Sequence, residues 1–158
     1  MSEAAREPGA ASPPTHRLEL RLENHLTAIP DAAAEIRRFC ETLGMSRSTI
    51  GQVNLALDEM LTNIMSYAWP AGGHHTLGVA LRIDGGRLIA EVRDDGVPFD
   101  PRTVDEPDLT SPLEERRVGG LGVYFAMTLM DEIDYRRVGD ENHLTLIKVL
   151  DPMESQRD

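Results

Sequence analysis

Two runs of alternating apolar residues, TLGVALRID (76–84) and RLIAEVRD (87–94), flank the dipeptide Gly85-Gly86. Two successive glycines accept the positive φ that a two-residue hairpin turn requires. Strands joined so tightly must be antiparallel, because a parallel pair needs a crossover of a dozen or more residues. A second such pair, EIDYRRV (132–138) and HLTLIKVL (143–150), is separated by a Gly-Asp-Glu-Asn turn. THRLELRLEN (15–24) alternates Leu18, Leu20 and Leu22 with polar residues, the pattern of a half-buried strand. The chain is therefore built on a largely antiparallel sheet.

Helices fill the rest. In AIPDAAAEIRRFCETLG (28–44), Pro30 suits the first turn, Gly44 suits the end, and Ile29, Ala33, Ile36, Phe39 and Leu43 follow a 3.6-residue period. Ser46 or Ser48 caps a second helix that runs to about Tyr67, where Trp69-Pro70 closes it. GGLGVYFAMTLMD (119–131) predicts a buried third helix. Between Gly96 and Gly119 no period holds; four prolines, several acids and Arg116-Arg117 predict a long mobile loop, a feature often functional in compact domains. The order β-α-α-β-β-loop-α-β-β predicts an α+β, two-layer α/β sandwich with its helices on one face of the sheet. One domain at 15–151 is expected, between a disordered tail at 1–14 and a polar tail at 152–158.

Charge narrows the function classes. A net charge of −11 argues against nucleic acid and anionic membranes as partners, since both need a basic patch. Nucleotides remain open, because backbone N–H groups and a metal can hold phosphates. No apolar run approaches the ~20 residues of a membrane span, and the N-terminus lacks signal-peptide regions; a cytoplasmic protein is expected. The single cysteine, Cys40, excludes an intrachain disulfide and reads as a small apolar helix residue.

Three short segments carry chemistry. On a helical wheel Ile50, Val53, Leu57, Met60, Leu61 and Ile64 form the core stripe of the second helix. Glu59 and Asn63 lie on the far side with Gln52, Leu55, Ala56 and Ser66. That side reads either as a wet surface or, being nearly uncharged, as the wall of a wet cavity. An amide oxygen there can ligate Mg²⁺, and a carboxylate one turn away can accept a proton. Asp94-Asp95-Gly96 reads either as a β-turn or as a purine site, with Asp94 the inward carboxylate and Gly96 permitting close approach. Gly119, Gly120 and Gly122 open a helix, either as a flexible joint or as an anion cradle.

Taken in order and spacing, Glu59-x-x-x-Asn63, DDGVPFDP and GGLGVYFAMTLMDEIDY resemble the N, G1 and G2 boxes of the GHKL ATPase superfamily, whose fold is the Bergerat sandwich. Within it the chain most resembles the anti-sigma factor serine-protein kinases of the RsbW and SpoIIAB type, over about Leu18 to Val149. The resemblance implies ATP and Mg²⁺ as cofactors. Asn63 would ligate the Mg²⁺, and Glu59 would be the general base toward a protein serine. Asp94 would hold the adenine amine, with Gly96 beside it and Thr145 assisting through water. Gly119, Gly120 and Gly122 would cradle phosphates under a lid from about Asp100 to Val118, and Arg116 or Arg117 would reach the γ-phosphate. Pro98 replaces the second G1 glycine, as the kinase subgroup tolerates, and Tyr67 stands where the family often has histidine. The absence of a preceding phospho-acceptor histidine domain points away from a stand-alone histidine kinase.

The implied partners are a STAS-domain anti-sigma factor antagonist carrying the acceptor serine and a sigma factor or other regulator held in the alternate state. The family usually dimerises, and the 15–24 strand is an edge available for a homodimer. The rival reading is an anti-sigma module that binds ATP without transferring phosphate.

Overall fold

The computed structural model describes residues 16–104 and 121–152. Five strands, β1 (Arg17–Glu23), β2 (Thr76–Asp84), β3 (Arg87–Asp94), β4 (Glu132–Val138) and β5 (Glu141–Val149), form one sheet in the order β1-β2-β3-β5-β4. Every neighbouring pair is antiparallel. Gly85 and Gly86 take φ of 56° and 76°, as the two-residue hairpin demands. Three helices, α1 (Ile29–Thr42), α2 (Arg47–Tyr67) and α3 (Leu121–Leu129), accompany the sheet. The fold is the expected α+β sandwich, with the helices on one face.

Local chemistry sets the helix ends. Pro30 sits in the first turn of α1, and Gly44 beyond its end takes φ 73°. Ser46 is the α2 cap: its hydroxyl accepts the Thr49 N–H at 3.1 Å. Leu77, Val79, Leu81, Leu88, Ala90, Val92, Leu144 and Leu146 meet Ile36, Ile50, Val53, Leu57, Met60 and Leu61 in one core. Cys40 is fully buried there; burial, with Glu41 beside it, pushes its thiol up to about 12, so it stays neutral.

The far side of α2 divides between its two readings: Leu55 and Ser66 are exposed, whereas Ala56 is fully buried and Glu59 and Asn63 are half-buried. The reason is α3, which packs along α2. The start of the long loop is also structured. Pro101–Thr103 form a 3₁₀ turn, and Asp100 accepts the Arg102 backbone N–H at 2.9 Å and its guanidinium from 2.9 Å. The remainder of the expected lid, with Arg116, Arg117, Gly119 and Gly120, and the expected tail at 1–14, lie outside the described residues.

Candidate functional site

β3 delivers Asp94 to the helix-facing side of the sheet, the side of Ala90 and Val92. It is directly opposite Asn142 on β5. Both are buried polar residues, and they satisfy one another: the Asn142 Nδ2 donates to Asp94 Oδ1 at 2.9 Å. The Gly96 N–H donates to the same oxygen at 2.9 Å, closing a small turn. The orientation of the Asn142 amide is fixed from its other end. Tyr135 Oη and Arg137 Nη1 (3.2 Å) both donate to Asn142 Oδ1, so the NH₂ group must face Asp94. Asp95, by contrast, is exposed and accepts from Trp69 Nε1 at 3.0 Å. Of the two acids, Asp94 is the inward one.

Asp94 and Asn142 form the polar floor of a pocket of about 290 Å³, close to the lower bound of small-molecule sites, roughly 300 Å³. Its walls are chiefly apolar: Met60 and Ile64 from α2, and Val97, Pro98 and Phe99 from the turn after β3. Asn63 lines it too, so the amide and Asp94 share one cavity. Burial raises the Asp94 carboxyl above its ordinary value, opposed by the hydrogen bonds from Asn142 and Gly96. Folded Asp94 thus holds its proton more tightly than unfolded Asp94. Stability contributed by this group falls as pH rises through the window above 3.8 and is level once the folded carboxyl has ionised. Urea unfolding of Asp94→Asn should lack this step, so the variant gains on the wild type across that window; parallel pH profiles would refute the assignment.

Gly96 is where the site joins the helix layer. Val97 N–H donates to Ala68 O at 2.8 Å, and Arg137 Nη1 donates to Gly96 O at 2.7 Å. A Cβ at Gly96 would lie 2.4 Å from Ala68 Cβ. Glu59 lies one helical turn before Asn63 and touches α3: a Cβ at Gly122 would stand 1.9 Å from Glu59 Oε2.

The structure therefore gathers Asn63 and Asp94 at one cavity, with Gly96 bonded to Asp94 and Glu59 beside Gly122 one turn away. It separates Thr145 from them. Thr145 pairs with Glu91 and Asp134 on the opposite face of the sheet, while Asn142, Leu144 and Leu146 face the helices. From that face its hydroxyl does not reach a ligand held by Asp94; the β5 residue that contacts Asp94 is Asn142. Asn142, Tyr135 and Arg137 are the residues that sequence reasoning missed.

A five-stranded antiparallel sheet, helices on one face and a pocket between sheet and α2 define an ATPase-type sandwich. A model of the histidine kinase-like ATPase domain matches residues 22–148, and the chain belongs to that family. It is 31% identical over 94 residues to the serine/threonine-protein kinase BtrW of Bordetella bronchiseptica, covering 60% of this chain and 66% of that protein. Over 98 residues it is 30% identical to the serine-protein kinase RsbW of Halalkalibacterium halodurans, covering 60% of this chain and 59% of that one. The chain thus matches less than two thirds of the length of these relatives. Among solved structures, the RsbU and RsbW domains of Rv1364c from Mycobacterium tuberculosis superpose with a TM-score of 0.62 at 20% identity, over 87% of this chain and 33% of that one. The SiaB–SiaC complex from Pseudomonas aeruginosa gives 0.55 at 17%, over 86% and 92%. These two likenesses speak to the fold. No helix among the described residues is long and apolar enough to cross a membrane.

Proposed function

We propose that this chain is an ATP-dependent protein-serine kinase of the partner-switching kind. The observation that carries the reading is the buried Asp94 carboxylate at the floor of an apolar pocket. One Asp94 oxygen is already engaged by Asn142 and Gly96, which sets the carboxylate plane. A carboxylate so placed accepts a hydrogen bond from an exocyclic amine, as adenine offers, and repels the carbonyl that guanine carries at that position. Met60, Ile64 and Phe99 give a flat ring apolar cover.

ATP, when bound, supplies the phosphoryl group. The chain's own residues would then divide the work. Asn63 offers an amide oxygen to Mg²⁺. Glu59 accepts the serine proton. Gly119, Gly120 and Gly122 would give backbone N–H groups to the phosphates, and Arg116 or Arg117 would offset charge on the γ-phosphate. The protein acceptor is a STAS-domain antagonist, and a sigma factor or another regulator is held in the alternate state. The relatives named as serine-protein kinases support the activity class.

Calorimetric titration with Mg–ATP tests the pocket. The wild type should bind ATP in preference to GTP. Asp94→Asn should weaken ATP by about 10- to 100-fold, the worth of a hydrogen bond to a charged group. Equal affinity of wild type and variant would end the reading.

A further inference from the structure

We propose that Leu55 and Phe125 form an apolar docking ground for a STAS-domain partner, and that they seat a large apolar side chain lying close to its acceptor serine. The inference rests on the reading of Glu59 as the base. Both side chains are large, apolar and partly in water, at 48% and 46% exposure. Leu55 stands one turn before Glu59 and about 40° from it around α2, at 100° per residue. Phe125 comes three residues after Gly122, the α3 residue that meets Glu59. The two helices run in opposite directions. α2 ends at the Asp94 end of β3, where Ala68 O accepts the Val97 N–H. α3 ends at the other end of that strand: Leu129 O accepts from Lys148 Nζ at 2.9 Å, and Lys148 pairs with Leu88. From Gly122, α3 therefore runs back toward the start of α2, and Phe125 comes alongside the turn that carries Leu55. Val123 and Ala126 are buried, which leaves Phe125 on the outer side of α3, its ring propped edge-on by Tyr124 at 5.9 Å.

A single exposed apolar residue is ordinary. This pair differs in its surroundings. α3 carries no charged residue, in a chain with 16 Lys and Arg and 27 Asp and Glu. On α2, Asp58 and Glu59 are the only charges after Arg47. A helix side that stays in water usually carries several charges; the outer side of α3 offers Phe125 and Thr128 instead. Covering that side strips no ion of its water. The chemistry next to the pair says what covers it. A serine hydroxyl that gives its proton to Glu59 must come within hydrogen-bond distance of the carboxylate. The chain around that serine is then laid across the seam between α2 and α3. Leu55 is about 5.4 Å along the helix from Glu59. A residue two positions from the serine in an extended chain, about 6.6 Å away, spans that distance on the same face. So does a residue one turn away in a helix. An apolar side chain at such a place lands on Leu55 and Phe125, and aromatic anchors of this kind are where interfaces concentrate their affinity.

The purified STAS-domain proteins of the same organism are the probes, each taken with the full chain. Association is read by calorimetry with Mg–AMP-PNP, an analogue that does not transfer, and transfer is read from labelled ATP. Leu55→Gln and Phe125→Gln should each weaken association about tenfold or more. Each should raise KM for the acceptor by a similar factor and leave kcat and Mg–ATP affinity unchanged, the signature of lost uniform binding. Val149→Gln is the control: it is as exposed, at 54%, but lies at the end of β5 away from Asn142, and it should change none of these. Replacing the acceptor's apolar residue nearest the serine by Gln should cost the wild type the same factor and the Leu55→Gln/Phe125→Gln double variant little. Association without transfer, lost in both variants, would support the docking ground and end the kinase reading alone. The proposal is overturned if no STAS-domain protein associates with the wild type, or if both variants associate and transfer as the wild type does. It is also overturned if either variant alone melts several degrees lower, since the chain itself then covers the pair. A wild-type dimer that either variant disperses in light scattering would assign the pair to a second copy and overturn it as well.

Discussion

Gly96→Ala should lower the unfolding free energy by roughly 3 kcal/mol, the upper end of what overpacking costs. The added Cβ would stand 2.4 Å from Ala68 Cβ, 2.6 Å from Ala68 O and 2.9 Å from Asp94 Oδ1. A long side chain could swing aside, but Ala68 O is backbone at the end of α2, held by the Val97 N–H at 2.8 Å. Relief therefore requires the turn after β3 to move off the helix. That movement would break the Gly96 bond to Asp94 and shift the pocket floor. The melting temperature should fall by about 10 °C, and any nucleotide affinity should fall with it. Gly78→Ala is the control: Gly78 lies on the outward face of β2, and its Cβ would meet nothing within 4 Å. Its effect should stay within about 0.5 kcal/mol. A Gly96→Ala protein melting with the wild type would mean that the turn relaxes from Ala68 at little cost.

How much of this could be read from the sequence depends on the range of the interaction. Caps and turns are local, so Ser46, Gly44 and the Gly85-Gly86 hairpin are legible from residue chemistry alone. Asn142 was hidden by a misread turn. Gly-Asp-Glu-Asn looks like a four-residue connection, but only Gly139, with φ 59°, and Asp140 turn, and β5 already begins at Glu141. Asn142 then falls in register with Asp94. Counting the alternation back two residues from Leu144 reaches it, and the same count puts Thr145 on the other face. The face of α2 carrying Ala56, Glu59 and Asn63 stayed open between two readings for a different reason. A helical wheel gives direction but not what lies in that direction, and α3 arrives more than fifty residues later in the chain. Its low charge was the usable signal, since a face covered by another helix has no need of lysines.

Glu59→Gln should leave Mg–ATP binding intact and reduce phosphotransfer to a protein serine by about 10²- to 10⁴-fold, the range for loss of a general base. The amide keeps the shape of the side chain but cannot take the proton. Gly122→Ala should reach part of the same loss from the opposite wall. Its Cβ would lie 1.9 Å from Glu59 Oε2 and 2.8 Å from the carboxyl carbon, so the carboxylate must leave its position. Unlike Ala68 O, this obstacle is the far end of a flexible side chain. The fold should survive: the move costs on the order of 1 kcal/mol, and alanine returns up to about 1 kcal/mol of helix propensity relative to glycine. The two glycine variants thus separate two requirements of the same sandwich. Gly96→Ala should lose stability and site together, whereas Gly122→Ala should keep its melting temperature and lose transfer. Single-turnover transfer from labelled ATP, read beside thermal unfolding, distinguishes them. Full transfer by Glu59→Gln would remove Glu59 as the base. Full transfer by Gly122→Ala would mean that the carboxylate acts from somewhere other than its place beside α3.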